Sequence, residues 1–184
     1  MVGLDLSLTS SGMSDCKSSR VVQTGPEDEL EARFEQILCG VRSFVYCGTG
    51  PSDPHRIADL VVIESGAFSR GAQAAGAEHL AGLRLLIRHW LWSTNTPFAM
   101  MTPTGLKAYV TGHGVATKQQ MANAVAERYG VDYSDVKVKD GRYDLVDAFG
   151  LAAAGYHHLG HPLPRVEPPP PVKSLNAVKW PQMP

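Results

Sequence analysis

The pattern of apolar and polar positions changes period several times along the chain, and each change marks an element. Met1-Val-Gly-Leu-Asp-Leu-Ser7 alternates, which puts Val2, Leu4 and Leu6 on one face of a strand and Gly3, Asp5 and Ser7 on the other. From Ser7 to Thr24 the chain is rich in Ser and Thr, with Val21 and Val22 near its end, and reads as two further short strands in a meander. Thr24-Gly-Pro-Glu27 has the form of a capping box, followed by Leu30, Phe34, Ile37, Leu38, Val41 and Phe44 at helical spacing. A helix is therefore expected from that box to about Tyr46, with a loop over Gly48 to Pro54.

Leu60 to Ile63 is short, apolar and mostly β-branched, the pattern of a central strand covered on both faces. The small, Gly-rich stretch Phe68 to Gly76 leads into a helix from about Glu78 to Trp92. Leu80, Leu83, Leu85, Leu86, Ile87, Trp90, Leu91 and Trp92 wrap most of that helix, so it is expected to be buried on two sides, the second against another subunit. Phe98-Ala-Met-Met101 reads as a strand stopped by Pro103, and Thr104 to Val110 as one or two helical turns. Thr117-Lys-Gln-Gln120 is a second capping box, opening a helix that Gly130 closes. The last helix begins near Tyr143 and turns Leu145, Ala148, Phe149, Ala152 and Tyr156 inward. Strands followed by alternating helices and strands predict an α/β protein, a mixed sheet with helices on its faces.

Beyond residue 160 the pattern stops. Pro162, Pro164 and Pro168 to Pro171 favour extended chain, so residues 1–160 form the expected domain and 161–184 a Pro-rich tail. An apolar content of 43% and a formal net charge of −1 describe an ordinary globule and neither advertise nor exclude a nucleic-acid partner. Cys16, Cys39 and Cys47 have no metal-ligand spacing and read as reduced, mostly buried thiols. With no apolar run near the ~18 residues of a membrane span, and no basic flank before an apolar N-terminal segment, a cytoplasmic protein is expected.

The chemistry lies in four acids placed against the local pattern. Asp5 interrupts a core-grade strand, Glu64 ends an apolar one, and Asp144 and Asp147 share one face at the start of a helix. Singly, each has an ordinary reading: a turn former, a strand-end surface residue, a pair favoured by the helix dipole. Together they read as a site assembled from distant segments, because carboxylates converging in a cleft repel unless a divalent ion neutralises them. Oxygen donors without His or Cys point to Mg²⁺, or Mn²⁺ in its place. Two such ions, roughly 3.5–4 Å apart, are the device for hydrolysing a phosphodiester.

Val2-Gly-Leu-Asp-Leu-Ser7, Val62-Ile-Glu64 and Asp144-Leu-Val-Asp-Ala148 resemble, in order and separation, the three acidic motifs of RuvC-type Holliday-junction resolvases. Lys107-Ala-Tyr-Val-Thr-Gly-His-Gly-Val-Ala-Thr-Lys118 is similar to that family's lysine-flanked, glycine-containing segment. The resemblance spans about residues 1–158. It implies an RNase H-like fold with a mixed five-stranded sheet flanked by helices, and a homodimer. The implied activity is Mg²⁺-dependent paired nicking of four-way DNA junctions, with two ions per active site.

By the same resemblance Asp5, Glu64, Asp144 and Asp147 match the metal ligands, and Lys107 and Lys118 match lysines that touch DNA near the scissile phosphate. Lys118 would neutralise charge gathering on that phosphate. Phe68 matches an aromatic that stacks on junction bases, a core aromatic at a strand end being the alternative. Arg70, Arg84 and Arg88 are further candidate DNA contacts, and His113 sits in a glycine-flanked loop where it could meet a phosphate or simply face solvent. Lys107, Lys118, Arg128, Lys137, Lys139 and Arg142 outnumber Glu127, Asp132, Asp135 and Asp140, a modest positive excess on the side expected to face DNA. The short polar second strand and the Pro-rich tail depart from the family. Divergence of that kind points to a bacteriophage source and leaves open a relaxed nuclease acting on flaps and forks. An actin-like or sugar-kinase ATP-handling protein also opens on a Gly-x-Asp strand, but needs a second phosphate loop and far more chain.

Overall fold

The computed structural model describes residues 1–47, 58–66, 75–161, 163 and 172–182. Strands β1 (Val2–Asp5), β2 (Ser10–Ser14) and β3 (Ser19–Gln23) precede helix α1 (Leu30–Cys47). Strand β4 (Val61–Glu64), helix α2 (Ala75–Ser93) and strand β5 (Phe98–Met101) follow, and then helices α3 (Pro103–Thr111), α4 (Lys118–Tyr129) and α5 (Arg142–His158). The five strands form one sheet in the order β3-β2-β1-β4-β5. The two outer pairings on the β3 side are antiparallel, and β1–β4 and β4–β5 are parallel. This is the mixed, helix-flanked five-stranded sheet that the order of elements predicts.

Alternation decides which helices cover which face. Val2, Leu4, Leu6, Val61 and Ile63 point into one core with Ile37, Leu38 and Val41 of α1 and Leu83, Ile87, Trp90 and Leu91 of α2. Leu60 and Val62 point the other way, into a core shared with α3, α4 and α5. Val61, Val62 and Ile63 are completely buried, as a central parallel strand requires.

Helix α5 lies directly across β1 and β2, and two glycines allow it. A Cβ at Gly3 would overlap the Ala148 carbonyl, and one at Gly12 would overlap the carbonyl of Asp144. Bare backbone on the strands, and Ala148 and Ala152 on the helix, bring main chain against main chain. The Thr117 capping box forms as expected: Gln120 N–H donates to Thr117 Oγ1 at 3.2 Å and Thr117 N–H donates to Gln120 Oε1 at 2.8 Å. Gly130 then ends α4 in the left-handed region at φ 67°.

Two expectations need correction. Thr24-Gly-Pro-Glu27 does not cap α1, which begins only at Leu30. The Thr24 hydroxyl instead donates to the Leu8 carbonyl, and Arg33 reaches back to both, with Nε 3.1 Å from Thr24 Oγ1 and a terminal nitrogen 2.8 Å from Leu8 O. The motif is consumed in fastening the turn after β1. Cys39 is exposed rather than buried, its thiol donating to Glu35 Oε1 at 3.2 Å. On the outer side of α2, the side expected to meet another subunit, Leu85 is 62% and Trp92 69% exposed in the single chain.

Within the Pro-rich segment, residues Val172–Ala177 form a 3-10 helix that packs on α3 and buries Leu175. Trp180 stacks flat on His158 with ring centroids 4.0 Å apart, and its indole N–H donates to the Leu175 carbonyl at 3.2 Å. Among the described residues no helix is long and apolar enough to cross a membrane.

Candidate active site

The parallel ladder between β1 and β4 pairs Leu4 with Ile63. Carried one residue further, it sets Asp5 beside Glu64 at the carboxyl ends of two central strands, where open α/β sheets hold their ligands. Helix α5 supplies the other two acids. Resting on Gly3 and Gly12, its first turns hold Asp144 and Asp147 over the same strand ends. All four carboxyls are partly buried.

Burial and the neighbouring acids both act on these carboxyls. Burial holds the Asp5 carboxyl well above the usual range, and the charges of Glu64, Asp147 and Asp144 raise it further against the opposing Lys118. Burial likewise pushes Asp147 up to about 7, with Glu64 and Asp144 adding to it and Lys118 and Lys107 opposing. Glu64 is raised by burial, but Arg84, a hydrogen bond from Asp5, and the two lysines moderate it. Of the two, Asp5 is raised the more strongly.

Those shifts define an unmet demand for positive charge, and the donors are all hard oxygens, the chemistry that suits Mg²⁺ or Mn²⁺. As placed, the side chains are coupled rather than closed around a point. Among the described residues no group of three or more His, Cys, Asp or Glu is arranged as a ready cage.

The charges of Lys107 on α3 and Lys118 at the start of α4 both favour the ionised acids. Lys118 Nζ sits 5.7 Å from the centre of the Tyr143 ring, and the Tyr143 hydroxyl donates to Gln119 Oε1 at 3.2 Å, which ties α4 to the start of α5. Phe68 and Arg70 lie outside the described residues. Arg88 is 6.0 Å from the Phe98 ring centre and exposed. His113 is exposed and lines a cavity of about 420 Å³ with Thr111, Gln120 and Asn123, a space bordered by none of the four acids.

Two contributors escape sequence reasoning. Ser10 on β2 donates a hydrogen bond to Asp144 Oδ2, across 134 positions of chain. Nothing in a Ser-rich strand singles that hydroxyl out before the sheet order is known. Arg84, read as a possible DNA contact, is partly buried on α2 and turns its charge toward Glu64 and Asp5.

No family profile matches the sequence. A curated relative, the crossover junction endodeoxyribonuclease RuvC of Clavibacter sepedonicus, is 30% identical over 164 residues, covering 83% of this chain and 72% of that protein. The Thermus thermophilus RuvC structure superposes with a TM-score of 0.63 at 19% identity, covering 88% of this chain and 98% of that one. T. thermophilus RuvC in complex with a Holliday junction substrate gives 0.62 at 22% identity, covering 88% and 97%. At these identities the structures carry the shared fold, while the curated relative carries the kinship. With the acids of three remote segments gathered on that fold, the chain belongs to the RuvC family.

Proposed function

We propose that this protein is a structure-selective DNA endonuclease that resolves four-way junctions by paired phosphodiester hydrolysis. The observation that carries the reading is the placement of Asp5 and Glu64 at neighbouring strand ends beneath the helix that bears Asp144 and Asp147, in a chain of the RuvC family. The named activity of the curated relative and the junction bound in the second solved structure supply the substrate class.

Asp5, Glu64, Asp144 and Asp147 are the residues that would hold Mg²⁺ or Mn²⁺, two ions per site. Bound there, the ions supply Lewis acidity to a phosphodiester and its attacking water. The chain's own part is positioning. Ser10 orients the Asp144 carboxylate, Tyr143 faces the ammonium of Lys118, and Lys118 and Lys107 offer positive charge where a phosphate meets the acids. The exposed Leu85 and Trp92 of α2 support a twofold dimer through that helix, giving two sites and symmetric nicks. Such an enzyme works in the cytoplasm, where the DNA lies.

The test is incubation of the purified protein with labelled junction, fork, flap and duplex DNA, with and without Mg²⁺. Paired nicks in the junction that require the ion are expected, and Asp5→Asn is expected to abolish them while junction binding persists. Equal cutting of forks and flaps would convert the reading to a relaxed branched-DNA nuclease. Cleavage by Asp5→Asn in Mg²⁺ would overturn it.

A further inference from the structure

Helix α3 has nine residues, too few to hold itself in water, so its position is set by what packs on it. Its start is anchored at the site. Met101, the last residue of β5, pairs with Glu64, and the Ser65 N–H donates to the Met101 carbonyl at 2.8 Å. Thr102 then caps the helix, its hydroxyl accepting from the Gly105 N–H at 3.0 Å. The far end has no such anchor in the sheet. It stops at Gly112, with φ 87°, and runs into a loop whose Val115 is 91% exposed.

Packing holds that end instead. Leu106 and Val110 lie so close to Gly150 of α5 that a Cβ there would come within 2.9 and 2.8 Å of them, and the Tyr109 hydroxyl donates to the Ala153 carbonyl at 3.2 Å. The C-terminal segment supplies the rest. Its 3-10 helix packs against α3, and Leu175, 5% exposed, enters the same core as Leu106, Tyr109 and Val110. The Leu175 carbonyl accepts both the Val178 N–H at 3.1 Å and the Trp180 indole N–H at 3.2 Å, which closes this stretch into a knob. Successive histidines of α5 receive the two partners. His157 meets the Tyr109 ring edge to face with centroids 6.0 Å apart, and His158 lies flat on Trp180 at 4.0 Å. Ordering such a segment costs conformational entropy, and what it fastens is the helix joining the end of β5 to the loop before Lys118.

We propose that residues 172–182 form a strap that fixes α3, with Leu175 and Trp180 as positioning residues for Lys107: the strap holds the helix down on Gly150 and keeps its lysine in register with the end of β4. The proposal rests on the nuclease reading above, which gives Lys107 a phosphate to meet. With the strap released, α3 stays hinged at Met101 and lifts at its Gly112 end, carrying Lys107 with it. Lys173 and Lys179 of the segment are exposed and take no part in the buried packing, so they test separately whether the segment touches DNA.

The experiment compares wild type, Trp180→Ala, Trp180→Phe, Leu175→Ala, Lys107→Gln, the Trp180→Ala/Lys107→Gln pair and the Lys173→Gln/Lys179→Gln pair, all well below their melting midpoints. It reads amide hydrogen exchange, single-turnover junction cleavage in Mg²⁺, and junction affinity with its salt dependence in Ca²⁺. Trp180→Ala and Leu175→Ala are expected to speed exchange in α3 about tenfold while α1 and α2 keep their protection, and to slow cleavage about fivefold. Trp180→Phe keeps a stacking ring and recovers most of the rate. Lys107→Gln slows cleavage by itself, and Trp180→Ala adds less than about twofold to it, a non-additivity that a general loss of stability does not produce. Should Leu175→Ala fail to fold, the two Trp180 variants carry the test. Faster exchange in α3 with wild-type cleavage would leave the segment a purely structural role and overturn the proposal, as would additive losses in the Trp180→Ala/Lys107→Gln pair. Weaker binding with a shallower salt dependence from the Lys173→Gln/Lys179→Gln pair would make the segment a DNA contact and overturn it equally. If wild type itself cuts no junction in Mg²⁺, the nuclease reading fails. If wild type cuts and every Leu175 and Trp180 variant matches it, the failure is confined to the strap.

Discussion

Replacing Asp147 by Asn should stabilise the metal-free protein while destroying the site. The Asp147 carboxyl is partly buried and titrates at about 7 against an ordinary value of 3.8, so the folded state binds its proton more tightly than the unfolded chain does. Such a group contributes its stability fully below the unfolded value and loses it as pH rises through the folded value. For Asp147 alone the loss therefore runs from about pH 4 to about pH 7. The difference between 3.8 and about 7 corresponds to a ceiling of about 4 kcal/mol. Water entry and movement of neighbouring carboxylates relieve part of it, so the neutral, nearly isosteric Asn should gain about 1–3 kcal/mol near neutrality. In a domain of this size that is a rise of roughly 3–10 °C in melting temperature. The assay is thermal unfolding in a chelator at about pH 5 and about pH 7.5, with the gain at the lower pH roughly half that at the higher. Adding Mg²⁺ should raise the wild-type melting temperature and move the variant less. An Asn variant no more stable than wild type near neutrality, or one whose advantage does not change with pH, would refute the argument.

Other expectations follow from single contacts. Ser10→Ala removes the donor to Asp144 Oδ2 and should slow junction cleavage roughly tenfold, with melting temperature little changed; an unaltered rate would mean the carboxylate is held by other means. Gly12→Ala forces a methyl onto the Asp144 carbonyl and should cost about 1–3 kcal/mol in urea unfolding, with cleavage falling more than stability. Ending the chain after His161 removes the buried Leu175 and the Trp180 stack on His158, and should lower stability by about 1–3 kcal/mol. A truncated chain with wild-type urea resistance would show that this packing contributes nothing net.

The sequence was most readable where one segment settles its own structure. The alternation through Val2–Asp5, the unbroken apolar run ending in Glu64, and the reciprocal box at Thr117 each depend on near neighbours only. The conflict between an acid and its strand marked Asp5, because burying a carboxylate needs a reason wherever the strand goes. Thr24 misled for the opposite reason. Its side chain found a better partner across the turn, at Leu8, than in the helix it could have capped. Ser10 and Arg84 stayed hidden because their roles exist only after β2 meets α5 and α2 meets the end of β4. The segment after His161 reads as extended from its prolines, yet Leu175 and Trp180 carry enough apolar surface to fold part of it back onto α3 and α5.

The contact of α5 with Gly3 and Gly12 has a consequence for how such an enzyme can be retuned. One half of the acidic quartet is pinned by a hydrogen-bonded ladder and cannot shift without dismantling the sheet's middle. The other half rides on a cylinder whose height above the sheet is fixed by two missing methyl groups. Altering the acids would change which atoms are offered; altering Gly12 would change how far apart the two halves stand. An engineer seeking a different cation preference has a single-atom shim at that position, and drift in a lineage can act through the same one.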